Sequence, residues 1–172
     1  MMNKPGITLI TVAPLLLALS SAPVDAHGIV RREQTGMSIA SSITVPEGAE
    51  LLFIGGTLAD ATNTEAVPGS RARFGDMAAQ ANSVLGKIEA ELAASGYAMG
   101  DIVKMEVYLV PDPDRGGAVD MLGLMSAYLA YFGKDPGRLP TRTTVQVAGL
   151  AVPGALVQIA VIAARTNHPA HE

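Results

Sequence analysis

The chain contains no cysteine and no tryptophan, and only three histidines. Without cysteine there is no disulfide and no thiol chemistry, so packing alone must hold the fold. His27, His168 and His171 all lie near the ends of the chain. That removes the usual imidazole base from the centre of the sequence and leaves no His/Cys cluster with metal-ligand spacing. A resident metal or organic cofactor is therefore not expected. Basic runs are missing too: 12 Lys+Arg stand against 16 Asp+Glu, for a net charge of −4. A chain that cannot neutralise several phosphates on one face is not expected to bind nucleic acid.

One long apolar run is present, at the N-terminus. "MMNK" is a short basic start, "ITLITVAPLLLALSSA" is apolar and broken by Pro14, and "VDA" puts short residues before His27. This order is that of a secretory signal peptide over residues 1–26, with the periplasm or the exterior as destination and no membrane association after cleavage. The alternative is an uncleaved N-terminal anchor. Residues 27–36 read as an N-terminal tail, 37–165 as one domain, and 166–172 as a polar C-terminal tail.

Within the domain, Met37 to Val45 is small and β-branched, and "AELLFIGGT" follows the turn-prone "PEG". These read as two strands joined by a turn, the second ended by Gly55-Gly56. Phe74, Met77, Ala78, Ala81, Leu85, Ile88 and Leu92 recur at steps of three and four, the mark of an amphipathic helix, and Gly96 stops it. "DIVKMEVYLV" alternates, placing Val103, Met105, Val107 and Leu109 on one side of a strand. A second helix is expected from Val119 to Phe132, with Leu122, Met125, Leu129 and Phe132 on its inner face. "TRTTVQVAG" and "ALVQIAVIAA" complete the domain as two strands. The order β-β-α-β-α-β-β predicts an α+β fold, with two helices on one face of a mostly antiparallel sheet. Tyr108, Gln146, Gln158, Ala160 and Ile162 would line the other face in part, too apolar to be left wet, so a homo-oligomer is expected.

Arg142, in "LPTRTTVQVAGL", is the only charged residue between Arg138 and Arg165. A buried guanidinium costs several kcal/mol unless something compensates it. Either Arg142 faces solvent, or an anion comes to it.

"AAQANSVLGKIEAELAASGYAMGDIVKMEVYLV", "YLAYFG" and "LPTRTTVQVAGLAVPGALVQIAVIAA" together resemble the RidA (YjgF) family, over about Ala49 to Ala164. The most specific parts are "GDIVK" and the block Pro140 to Val145. The resemblance implies a chorismate mutase-like fold, a homotrimer with clefts between neighbouring subunits, and hydrolysis of reactive 2-imino and enamino acids to 2-oxo acids and ammonia. It also implies that Arg142 binds the substrate carboxylate, that Gly56 lines the site, and that Thr144 and Gln158 stand where the family handles the attacking water. Several positions depart from the family pattern. Gln158 replaces a glutamate, Gly55 a serine and Met125 an asparagine, Thr144 replaces a cysteine, and no aromatic residue stands near Ile39 for the family's N-terminal tyrosine. A glutamine can orient water but cannot take its proton. Two functions stay open: an imine or enamine deaminase, or a non-catalytic trimer binding a small carboxylate or a protein partner.

Overall fold

The computed structural model describes residues 28–166. The signal peptide expected over residues 1–26, the three histidines, and all but the first residue of the C-terminal tail lie outside them.

Among the described residues there are six strands and two α-helices: β1 (Val30–Glu33), β2 (Ala40–Thr44), β3 (Glu50–Leu58), α1 (Met77–Ala94), β4 (Ile102–Leu109), α2 (Met121–Phe132), β5 (Thr141–Gln146) and β6 (Val157–Arg165). β3, β6, β4 and β5 form a sheet in that order. β6 is antiparallel to both neighbours, and β5 runs parallel to β4 after the α2 crossover. The expected α+β class with a mostly antiparallel sheet is the observed one. The N-terminal part of the domain differs from the sequence reading. Residues 30–33, read as tail, form β1, and β2 pairs with β1 rather than with β3. "VRRE" has one apolar residue and no alternation to mark it as a strand; it is held by pairing and by Arg31, whose Nη2 donates to the carbonyls of Gly100 (2.9 Å) and Ile102 (3.3 Å). The hairpin hangs from the edge of the larger sheet, with Ala40 N donating to Pro140 O at 2.9 Å.

α1 starts at Asp76, whose side chain accepts from Ala79 N (2.9 Å), and it ends before Gly96, whose φ of +77° suits a residue without Cβ. Its expected face is the buried one, Met77, Ala81, Leu85, Ile88 and Leu92 being shielded from solvent. These pack with Met105, Val107 and Leu109 of β4 and Val157, Ile159, Val161 and Ala163 of β6. Gln80 is also fully buried. Its Nε2 donates to Gly75 O (3.0 Å) and Gly154 O (3.2 Å), and its Oε1 accepts from Leu156 N (2.8 Å), so one amide ties α1 to the approach to β6.

α2 is rotated relative to expectation. Leu124, Ala127, Tyr128 and Phe132 are buried, whereas Leu122 is 84% and Leu129 44% exposed. The sequence "MLGLMSAYLAYF" has no charge to mark a wet side, so spacing alone cannot choose between two apolar stripes.

Candidate functional site

Arg142 is the second residue of β5, an edge strand, paired in parallel register with Met105. Met105 faces the helices, so Arg142 does as well. Its guanidinium stacks on the ring of Tyr128, 4.4 Å from the centroid, and Nη1 donates to Met125 Sδ at 3.4 Å. Among the described residues, Arg71, Arg115, Arg138 and Arg165 each stand beside a carboxylate, and Arg142 beside none. Burial pulls its pKa below the ordinary arginine value, with the nearby Tyr128 opposing this. The fold thus keeps a partly desolvated cation without an anion. Tyr128 is pushed up to about 12 by burial, against the pull of Arg142. It stays neutral at physiological pH, its hydroxyl donating to Ser38 O at 2.7 Å. Thr144, two residues beyond Arg142 and opposite Val107, lies on the same side of β5.

Gln158 and Gly56 lie elsewhere. Gln158 sits on β6 opposite Tyr108 of β4 and Leu58 of β3, and it alternates with the buried Val157 and Ile159, so it points away from the helices. Gly55 and Gly56 do not end the strand as expected. β3 continues to Leu58, and the register shift between Ile54 and Thr57 makes them a bulge. The Gln158 amide lies directly over Gly56: a Cβ there would be 1.8 Å from Gln158 Nε2 and 2.7 Å from Cδ. Only glycine leaves room for the glutamine.

Gln158 therefore has Gly56 beneath it, and Arg142 has Thr144 beside it, but the two pairs are on opposite faces of the sheet, with β4 between β5 and β6. One chain holds two candidate half-sites.

The face bearing Gln158 is open and largely apolar. Phe53 is 68% and Leu51 47% exposed. A groove of roughly 210 Å³ runs among Phe53, Gly55, Lys104, Glu106, Ala160 and Ile162. Its polar centre is one row on β4: Lys104 Nζ pairs with Glu106 at 2.8 Å, and the Tyr108 hydroxyl donates to Glu106 Oε2 at 3.3 Å. Lys104 draws the Glu106 carboxyl below its ordinary value, by hydrogen bond first and charge second. Gln146 is not part of this face as expected. It is in register with Leu109, and Val145, in register with Tyr108, takes that place.

The role of Tyr128 as the platform under Arg142 was not read from the sequence. Its spacing of three from Met125 puts both on neighbouring turns of α2, the one signal that could have disclosed it. Among the described residues, no group of three or more His, Asp or Glu could hold a metal ion, and no helix is long and apolar enough to cross a membrane. Chemically, the Arg142 side offers guanidinium donors that no carboxylate among the described residues occupies. The Gln158 side offers an amide that can orient water by donating and accepting but cannot be a base.

Comparison with known proteins fits this fold. A RutC family protein of Pyrococcus horikoshii is 36% identical over 76 residues, an alignment spanning 44% of this chain and about half (53%) of that relative. E. coli TdcF, solved with bound serine, is 29% identical with a TM-score of 0.52, over 71% of this chain and 85% of that one. The E. coli YjgF gene product is 27% identical with a TM-score of 0.52, over 78% and 93% respectively. A family model described as endoribonuclease L-PSP matches residues 45–165, and by this match, most of its length and all of its larger sheet, the chain belongs to that family, the RidA/YjgF proteins.

Proposed function

We propose that this protein binds small 2-imino and 2-oxo acids through Arg142 and hydrolyses the imines to 2-oxo acids and ammonia. The observation that carries this reading is the half-buried guanidinium of Arg142, which stands beside no carboxylate among the described residues. Its remaining N–H donors form a planar fork suited to bidentate capture of a carboxylate. The serine bound in E. coli TdcF carries such a group.

The reaction asks little of the protein. Water adds to the iminium carbon, the carbinolamine expels ammonia, and the C=N bond is replaced by C=O. The leaving nitrogen carries away both protons that the water gives up, as ammonia from a neutral imine or ammonium from an iminium, so orienting water and substrate can supply much of the rate. Gln158 would orient that water. Because Arg142 and Gln158 lie on opposite faces of one sheet, a complete site requires the Arg142 side of one copy to meet the Gln158–Gly56 side of the next. A homotrimer burying the open face around Phe53 and Leu51 achieves this. Light scattering of residues 27–172 should give a trimer at micromolar concentration; a monomer contradicts the shared site. The export signal read at residues 1–26 belongs to the same proposal, and mass spectrometry of the exported protein should begin at His27.

The family description names an endoribonuclease. An RNA backbone is bound by several cations arrayed on one face, whereas the site at Arg142 supplies a single guanidinium. A second reading, a binding trimer without turnover, is favoured by one residue: Gln158 cannot accept a proton. Disappearance of 2-iminobutanoate decides between them. Wild type should exceed the buffer rate, Arg142→Ala should fall to it, and Gln158→Glu should raise the rate toward the low end of the roughly 10²–10⁴-fold that a general base supplies. Wild type at the buffer rate would leave only the binding trimer.

A further inference from the structure

We infer that Met125, backed by Leu122 and Leu129, makes the Arg142 site selective for 2-imino and 2-oxo acids with an apolar side chain; the inference rests on the carboxylate reading above. α2 contains no charged residue, although only one of its faces is buried. Leu122 and Leu129 lie on the other side, and Met125, three residues from one and four from the other, stands at its border with the buried face, with Met121 one turn before it. Leu122, Leu129 and Met121 are exposed, while Met125 is half-buried and packs against the core. A helix normally presents charged residues on such a face.

Met125 also reaches the anion receptor itself, since its Sδ accepts from Arg142 Nη1. A carboxylate held on the free donors of Arg142 would put the substituent of the acid beside this thioether. A thioether is a weak acceptor, and here it already receives a hydrogen bond. A hydroxyl or amide on the substrate would find no partner in it, whereas a branched or linear hydrocarbon gains apolar contact and loses nothing. Arg142 and Tyr128 fix the carboxylate end, and the unbranched, adaptable methionine shapes the wall next to it.

The test is calorimetric titration of the mature chain with two stable acids, 4-methyl-2-oxopentanoate and 3-hydroxy-2-oxopropanoate. Wild type should prefer the apolar acid by at least about tenfold, the size of effect a few methylenes have in an apolar pocket. Met125→Leu should keep the preference, and Met125→Asn should shrink or reverse it, with Arg142→Ala losing both acids. Equal affinity of wild type for the two acids, both lost in Arg142→Ala, overturns the selectivity and leaves the carboxylate site standing. Binding of neither acid by wild type overturns the carboxylate reading itself. If Met125→Asn fails to fold, Met125→Gln, of nearly the same length and unbranched, takes its place: a shrunken preference supports the inference and an unchanged one overturns it. Absence of preference together with dissociation of the oligomer by Leu122→Lys would assign this stripe to a second copy of the chain and also overturn the inference.

Discussion

Gly56→Ala probes the packing of the second half-site with a sign that the structure dictates. The alanine Cβ would meet Gln158 Nε2 at 1.8 Å, Cδ at 2.7 Å and Cγ at 3.2 Å, and no backbone atom is among these nearest contacts. The glutamine must therefore swing away while the strands stay in place. Holding a side chain about 30° off its preferred torsions costs about 0.5–1.5 kcal/mol. In the other direction, alanine in place of a strand glycine recovers about 0.5–1 kcal/mol by restricting the unfolded chain. In the wild-type background the two nearly cancel, leaving a loss of at most about 1 kcal/mol. In a Gln158→Ala background the clash is gone, so the same substitution should stabilise by about 0.5–1 kcal/mol. Denaturant unfolding of the four proteins of this cycle, at one fixed protein concentration, gives the coupling directly. An equal cost in both backgrounds would show that something other than Gln158 demands glycine there. Imine turnover should fall with Gly56→Ala in the wild-type background, because the amide is displaced from the place where it would hold water.

Gln80→Leu strands one N–H in the core, that of Leu156, and two part-buried carbonyls, those of Gly75 and Gly154. At about 1–3 kcal/mol for each buried unpaired group, a loss of about 3–5 kcal/mol and a fall in Tm on the order of 10 °C should follow, and a loss under about 1 kcal/mol would refute the tie. Stability should also fall in strong alkali through Tyr128. Its folded pKa is raised to about 12 by burial from an ordinary value near 10. Its contribution is therefore complete below about pH 10 and lost as pH rises toward 12. Tyr128→Phe should flatten the stability profile over that interval, and an unchanged slope would show that the phenol is not shielded as described.

Sequence patterns disclosed what periodicity can encode. The buried stripe of α1 and the alternation of β4 were legible because each has polar residues on its other side to mark the boundary. α2 has only Ser126 and no charge there, and its orientation comes from Tyr128 and Phe132 stacking with centroids 4.7 Å apart in the core. β1 was illegible because pairing and the Arg31 contacts, not its own residues, make it a strand. Gly55-Gly56 read as a terminus because a bulge shows only against its partner strand, here β6. Arg142 stood out as a cation without a nearby acid in sequence, and it remains one in three dimensions. That it faces away from Gln158 depends on strand order and register, which no local pattern carries.

Titration of 2-oxobutanoate into the mature protein, its Arg142→Lys variant and its Arg142→Ala variant tests most directly the claim that Arg142 is a carboxylate receptor. Losing a bidentate, charge-assisted pair should weaken binding by about 2–4 kcal/mol. Arg142→Lys should recover only part of that, because an ammonium cannot reproduce the fork. Carboxylate capture by Arg142 predicts one site per chain in wild type and no measurable heat in Arg142→Ala, with fold and oligomer mass unchanged. Undiminished binding by Arg142→Ala would contradict it, as would a variant that unfolds while binding per folded molecule stays the same.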